Sequence, residues 1–173
     1  KVVVLIVCTV LFLRLTNLYA DRVSSLIGQF EANKGICVIV ASHDESLPIQ
    51  LARQSQWIVY VHSNSESYVH RVRQAAFEVK LLGTRIYVES DSNGHIALAD
   101  NLADALIVND PIVDEVELLR VLQPGAAAVF DNRTLVKPIP DGDDQWNHPY
   151  HGPDNNPQSL DANAKPPYLT QFL

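Results

Sequence analysis

Residues 36–40 form a continuous apolar run rich in β-branched side chains. Such a run predicts a strand covered on both faces, as in a parallel sheet. Further strands are predicted over 57–61, 85–89, 102–108 and 126–130. Between them the apolar positions recur at helical spacing. Val23, Leu26, Ile27 and Phe30 fall at i, i+3, i+4 and i+7, predicting a helix over 21–33 that Asp21 can cap and Gly35 can end. A short helix fits 47–54, with Pro48 tolerated in its first turn. A long one is predicted over 66–82, with Val69, Val72, Ala76, Val79 and Leu82 as its inner stripe and Gly83 as its cap. The last, over 113–122, has Asp114, Glu115 and Glu117 early and Arg120 late, as the helix dipole favours.

Strand and helix therefore alternate, which argues βαβ units and a mainly parallel sheet in an α/β domain. In open sheets of this kind the ligand lies at the carboxyl ends of the strands. The segment 35–47 is the stretch to watch, because it runs from a buried strand through a polar turn into a helix. The turn itself, Ala41-Ser42-His43-Asp44-Glu45, contains no glycine.

Composition narrows the function classes. The 173 residues are enough for one domain with a full core, and the balance of 19 % charged to 47 % hydrophobic residues is that of a globular protein. A net charge of −7 and a pI near 5.2 argue against a general nucleic-acid binder, which needs basic surface to displace phosphate counterions. Two cysteines, Cys8 and Cys37, exclude a disulfide framework and a cysteine-based zinc site. Cys37 reads as a small core residue.

The ends differ from the middle. Residues 1–20 carry a basic start, an apolar stretch over 2–13 and a small residue, Ala20, at the close. That is the layout of a secretory signal peptide, too short for a membrane span once Arg14 and Asn17 interrupt it. A buried first element of the domain is the other reading. With cleavage, the protein is expected in the periplasm or outside the cell, with no membrane span left. Residues 137–167 are dense in Pro, Asp, Asn and Gly, and 137–173 reads as an extended linker leading into a truncated further domain. The start at Lys1 and the apolar finish over 168–173 suggest a piece of a longer protein.

Two stretches carry a family resemblance. Leu119-Arg120-Val121-Leu122-Gln123-Pro124-Gly125 resembles the RVLxPGG turn before the fifth strand of class I S-adenosylmethionine-dependent methyltransferases. Ala99-Asp100-Asn101-Leu102-Ala103-Asp104-Ala105-Leu106-Ile107-Val108 resembles their entry to the fourth strand. Their order relative to 35–47 also matches, and the resemblance covers roughly 21–130. It implies a Rossmann-like three-layer sandwich over 21–136 with a five-stranded sheet in the order 3-2-1-4-5. A third stretch, Asp144-Gln145-Trp146-Asn147-His148-Pro149-Tyr150-His151-Gly152-Pro153-Asp154-Asn155-Asn156, is similar to a DxWxHxxHxxDNN segment of large secreted bacterial proteins. In those a methyltransferase-like domain precedes a β-propeller of the pyrroloquinoline-quinone type. The implied partner is such a propeller in the same chain, and pyrroloquinoline quinone enters only through it.

The resemblance also places a site. Ala41, His43 and Glu45 stand at the three positions of the family's GxGxG turn, with Ser42 and Asp44 between them. Glycine serves there because it permits positive φ and lets the cofactor approach the backbone. Glu45 near a helix N-terminus favours the helix but repels a cofactor carboxylate. Ser63 holds the position of the acid that grips the ribose hydroxyls, with Asn64 and Glu66 beside it. Ser92 and Asn93 stand near the adenine position, and Asn109-Asp110-Pro111 resembles the (N/D)PP(Y/F) turn without its second proline and aromatic residue. The cofactor positions are thus Ala41, Ser42, His43, Asp44, Ser63, Asn64, Ser92, Asn93 and Asn109. Two functions follow: a degenerate domain kept as a scaffold or binding module, or an active methyltransferase using S-adenosylmethionine. No catalytic residue is identified. His43 has no nucleophile beside it, since adjacency to Ser42 does not position a proton transfer. His62, His70 and His95 are expected on the surface or in loops. His148 and His151 in an extended segment do not present both rings to one metal as i, i+4 on a helix does, and packing at a domain junction is expected of them.

Overall fold

The computed structural model describes residues 21–40, 43–109, 113–144, 153 and 161–162. The chain divides into two compact units, one through Lys137 and one from Pro138. In the second, a turn is held by the Asp143 N–H donating to Pro140 O at 3.3 Å and the Ala162 N–H to Gly142 O at 2.9 Å. The expected signal-peptide layout of 1–20 and the expected junction packing of His148 and His151 lie outside the described residues.

The first described element of the first unit is a helix, α1, over residues 21–27. Then come β1 (Lys34–Val40), α2 (Leu47–Gln54), β2 (Gln56–Ser63), α3 (Glu66–Glu78), β3 (Ile86–Ser90), β4 (Ala103–Val108), α4 (Glu115–Val121), β5 (Leu122–Phe130) and β6 (Thr134–Val136). The sheet runs β3-β2-β1-β4-β5-β6, the first five strands parallel and β6 antiparallel to β5. This is the expected α/β architecture and order, with one further strand.

The central strand explains itself. Cys37, Val38, Ile39 and Val40 are all fully buried. Alternation sends Cys37 and Ile39 to one face and Val38 and Val40 to the other, so each face has its own core. On the first face α1, α2 and α3 pack through Val23, Leu51, Val69, Val72 and Ala76. Phe30 meets Trp57 there edge to face, with centroids 5.3 Å apart. On the second, α4 supplies Leu118 and Val121, and the loop after β3 supplies Ile96. Burying each such aliphatic side chain contributes about 1.5–3 kcal/mol.

Three local outcomes depart from the sequence pattern. The helix predicted over 66–82 ends at Glu78, because Lys80 turns into the left-handed region at φ 59° and the N–H groups of Leu81 and Leu82 both fold back on Ala76 O. β5 starts at Leu122 rather than at residue 126, since Leu122 pairs with Ala103 across a register shift in β4. Residues 28–33, predicted as helix, unwind through short turn bonds from Gln29 to Leu26 O and from Phe30 to Ile27 O, both 3.1 Å.

Candidate functional site

The parallel strands β1, β2 and β4 end together, and the turns that follow build the candidate site. After β1, Asp44 Oδ1 accepts from the Ser46 N–H at 2.9 Å and from Ser46 Oγ at 2.7 Å. This Asx-type turn orients the chain for α2, whose own N-cap serine makes no side-chain cap bond. The Tyr68 hydroxyl of α3 donates to Asp44 O at 3.2 Å and ties the turn to that helix. Glu45 pairs with Arg71 Nε at 2.8 Å, both side chains half exposed.

After β2, Ser63 is buried and its Oγ accepts from the Ser65 N–H at 3.2 Å. Ser65 in turn caps α3, accepting from the Tyr68 N–H at 3.4 Å. The Ser63 hydroxyl therefore serves its own turn, while Asn64 is exposed. After β3, the Asp91 N–H reaches Ser63 O at 3.4 Å, and Asp91 Oδ1 accepts from the Asn93 N–H at 2.8 Å. Ser92 and Asn93 are exposed. After β4, the Asn109 N–H donates to Val40 O at 3.1 Å. The described candidates thus collect at the carboxyl end of the sheet. Ala41 and Ser42 lie outside the described residues.

A cavity of about 540 Å³ opens at this end. His43, Asp44 and Asn109 line it, joined by Arg22 of α1, by Phe130 at the end of β5 and by Asp131 after it. Ser63, Asn64, Ser92 and Asn93 do not line it. Arg22, Phe130 and Asp131 escaped the sequence reading, because the approach of α1 to β5 is a tertiary matter without a local signal.

The histidine expectations need a correction. His62, expected on the surface or in a loop, is fully buried at the penultimate position of β2. Among the described residues neither ring nitrogen has a hydrogen-bond partner, and the buried Tyr60 hydroxyl on the same face has none either. Burial lowers the His62 pKa, against the opposing pull of Asp91 and Glu117. Burial, with Glu89 and Asp91 nearby, pushes the Tyr60 phenol up to about 12. The missed signal was strand alternation, which sets His62 on the Tyr60 face of an apolar run. His43 and His70 are exposed, and His95 is exposed but lies 3.0 Å from Glu117.

Glu117 has the strongest electrostatic setting. Arg120 donates to both of its oxygens, at 2.7 and 2.8 Å, and the Ile96 N–H adds a bond at 2.8 Å. Arg120, ahead of the other causes, pulls the Glu117 carboxyl down to about 2. Arg120 also donates to Leu98 O, Ile96 O and Asp100. The pair is a clamp on the loop after β3. Burial and then Asp104 push the Cys37 thiol well above its ordinary range, as suits an inert core residue. Among the described residues no group of three or more His, Cys, Asp or Glu side chains is arranged to hold a metal, and no helix is long and apolar enough to cross a membrane.

No family model and no curated protein matches this sequence. Solved structures do match its fold. A Methanococcus maripaludis protein assigned to the S-adenosyl-L-methionine-dependent methyltransferases is 21 % identical with a TM-score of 0.58, over 66 % of this chain and 55 % of that one. The 4+2 cyclase SpnF is 18 % identical with a TM-score of 0.57, over 64 % and 43 %. Geranyl diphosphate C-methyltransferase from Streptomyces coelicolor, solved with S-adenosyl-L-homocysteine, is 15 % identical with a TM-score of 0.54, over 68 % and 45 %. The chain spans about half the length of the structures it matches. Its first unit has the Rossmann-like α/β fold of the class I S-adenosylmethionine-dependent methyltransferases.

Proposed function

We propose that this unit is a degenerate methyltransferase-like domain, retained as a scaffold or binding module of a larger secreted protein. One observation carries the reading: side chains stand at all three glycine positions of the cofactor turn, and those described have local or exposed roles. Glu45 is ion-paired to Arg71, and His43 is exposed at the cavity mouth. Ser63 supports this, since a hydroxyl engaged with Ser65 replaces a ribose-gripping acid. The fold does not decide the chemistry, as a cyclase shares it with methyltransferases.

S-adenosylmethionine remains the cofactor of the alternative reading, an active methyltransferase. The cavity of about 540 Å³ beside His43 and Asn109 favours that reading, because it leaves room for a ligand at the correct end of the sheet. Calorimetric titration separates the two. The protein is expected to give no saturable binding of S-adenosylmethionine or S-adenosylhomocysteine up to about 1 mM. The variant A41G/H43G/E45G/S63D is expected to gain binding. A dissociation constant for the unaltered protein below about 10 μM overturns the degenerate reading.

The wider setting is proposed from the sequence. The DxWxHxxHxxDNN segment from Asp144 supports a lead-in to a pyrroloquinoline-quinone-type propeller of the same chain. The layout of residues 1–20 supports export to the periplasm or beyond. Repeats of propeller-blade length downstream of Leu173 are expected in the reading frame, and a stop codon directly after it removes this part.

A further inference from the structure

The link from β3 to β4 crosses from one edge of the sheet to its centre. Residues 91–102 make this crossing as an irregular strap with no helix of their own. The strap presses one fully buried side chain, Ile96, into the core face that holds Tyr60. Most of its other fastenings lead to α4: the Ile96 N–H to Glu117, Arg120 to the carbonyls of Ile96 and Leu98, and the N–H groups of Asn101 and Leu102 to Arg120 O and Val121 O at 2.9 Å, while the Asp91 N–H reaches Ser63 O of β2 and Lys137 Nζ donates to Asn101 Oδ1. Where helices would cover the sheet, Ile58 and Tyr87 are left 39 % and 43 % exposed.

His62 belongs to this face, with both ring nitrogens buried and, among the described residues, unpartnered. We propose that His62 is a proton-operated latch: protonation of its ring releases the strap 91–102 and uncovers the carboxyl ends of β2 and β3. In the closed state neither ring nitrogen has a hydrogen-bond partner among the described residues, and the nearby carboxylates are in part committed elsewhere. Glu117 is already engaged by Arg120, the Ile96 N–H and His95, and Asp91 Oδ1 by the Asn93 N–H. The groups facing the ring are Tyr60 on β2, Glu89 opposite it on β3, Asp91 and His95 on the strap, and Glu117 on α4. Val40, its partner on β1, does not titrate. A ring that binds a second proton is favoured by reaching water, and the strap, whose Asp91 and His95 act on it electrostatically, is the segment whose release would give it that access.

The sign follows from burial. The His62 pKa lies below the ordinary 6.5, so the neutral ring is matched to the closed state above that pH. As pH falls from 6.5 towards the lowered value, the open state binds the proton better. One such group favours opening by up to about tenfold per pH unit in that window. This device is independent of whether the domain binds a methyl donor.

Amide hydrogen exchange of the full chain, corrected for intrinsic rates, tests it. Protection of 91–102 is expected to fall by up to about fivefold between pH 6.5 and 5.5, while β1 and β4 keep theirs. His62→Leu is expected to flatten this dependence, and His95→Gln to leave it in place. A flat profile in the unaltered protein overturns the latch, as does an unchanged profile in H62L, or one abolished only by H95Q. Should H62L fail to fold, the ring nitrogens of His62 are followed by NMR in the unaltered protein. They are expected to titrate below pH 6.5 together with the strap amides, and separate midpoints overturn the proposal.

Discussion

The two ends of the parallel sheet are built differently. At the amino end, long-range polar contacts fasten neighbouring strands. The Asp104 carboxylate of β4 accepts from the Ile36 N–H of β1 at 2.7 Å and from the Gln123 side chain of β5. Arg85 gathers the carbonyls of Ala52, Ser55 and Trp57 at 2.7 to 3.0 Å. At the carboxyl end the polar side chains mostly serve their own turns. Asp44 holds Ser46, Ser63 holds Ser65, Asp91 holds Asn93, and His62 holds nothing among the described residues. The scaffold end is cross-linked between strands, whereas the ligand end is locally stabilised.

The comparison breaks first at Gly35. Its φ of +100° and the Asp104 carboxylate lying over it leave no room for a Cβ. Gly35→Ala is expected to destabilise by at least about 3 kcal/mol in urea unfolding, or to prevent folding. A loss below about 1 kcal/mol would mean that the amino end is not fastened as described. Next comes the strap clamp. Glu117→Gln removes a charge-assisted pair and is expected to cost about 1.5–3 kcal/mol at pH 7. The Glu117 carboxyl is held near 2, below its ordinary 4.5, so its contribution is present above pH 4.5 and lost as pH falls towards 2. E117Q should therefore flatten the acid limb of thermal stability in that window, and an unchanged limb contradicts the clamp. The smallest effect is expected at the ligand end. Glu45→Ala breaks a half-exposed ion pair and should cost less than about 1 kcal/mol, shrinking further in high salt. A larger loss would show the altered turn to be structurally committed, and would sharpen the scaffold reading.

Much of the fold was legible because period and composition are local properties. The run 36–40 announced a two-sided strand, and Val69, Val72 and Ala76 announced the buried stripe of α3. β6 was missed because Thr134–Val136 is too short for any period; it exists through pairing with Ala127–Val129. Arg133, on the way to that strand, lies over the Phe130 ring at 4.1 Å. The candidate site was legible as positions and less so as contacts. Its cavity draws Arg22 from α1 and Asp131 from beyond β5, 109 residues apart in the chain by their numbers.

The sequence by itself determined the alternation of strands and helices, the two-sided burial of β1, the glycine-free turn after it and the turn residues at each strand end. These follow from side-chain chemistry and short-range steric rules, which act over a few residues. The tertiary structure alone decided what those residues meet. It put His62 out of reach of water, turned Asp104 onto the backbone of Gly35, and bound the strap to α4 through Glu117 and Arg120. Burial and long-range hydrogen bonding depend on which strands become neighbours, and the packing of the whole sheet sets that order.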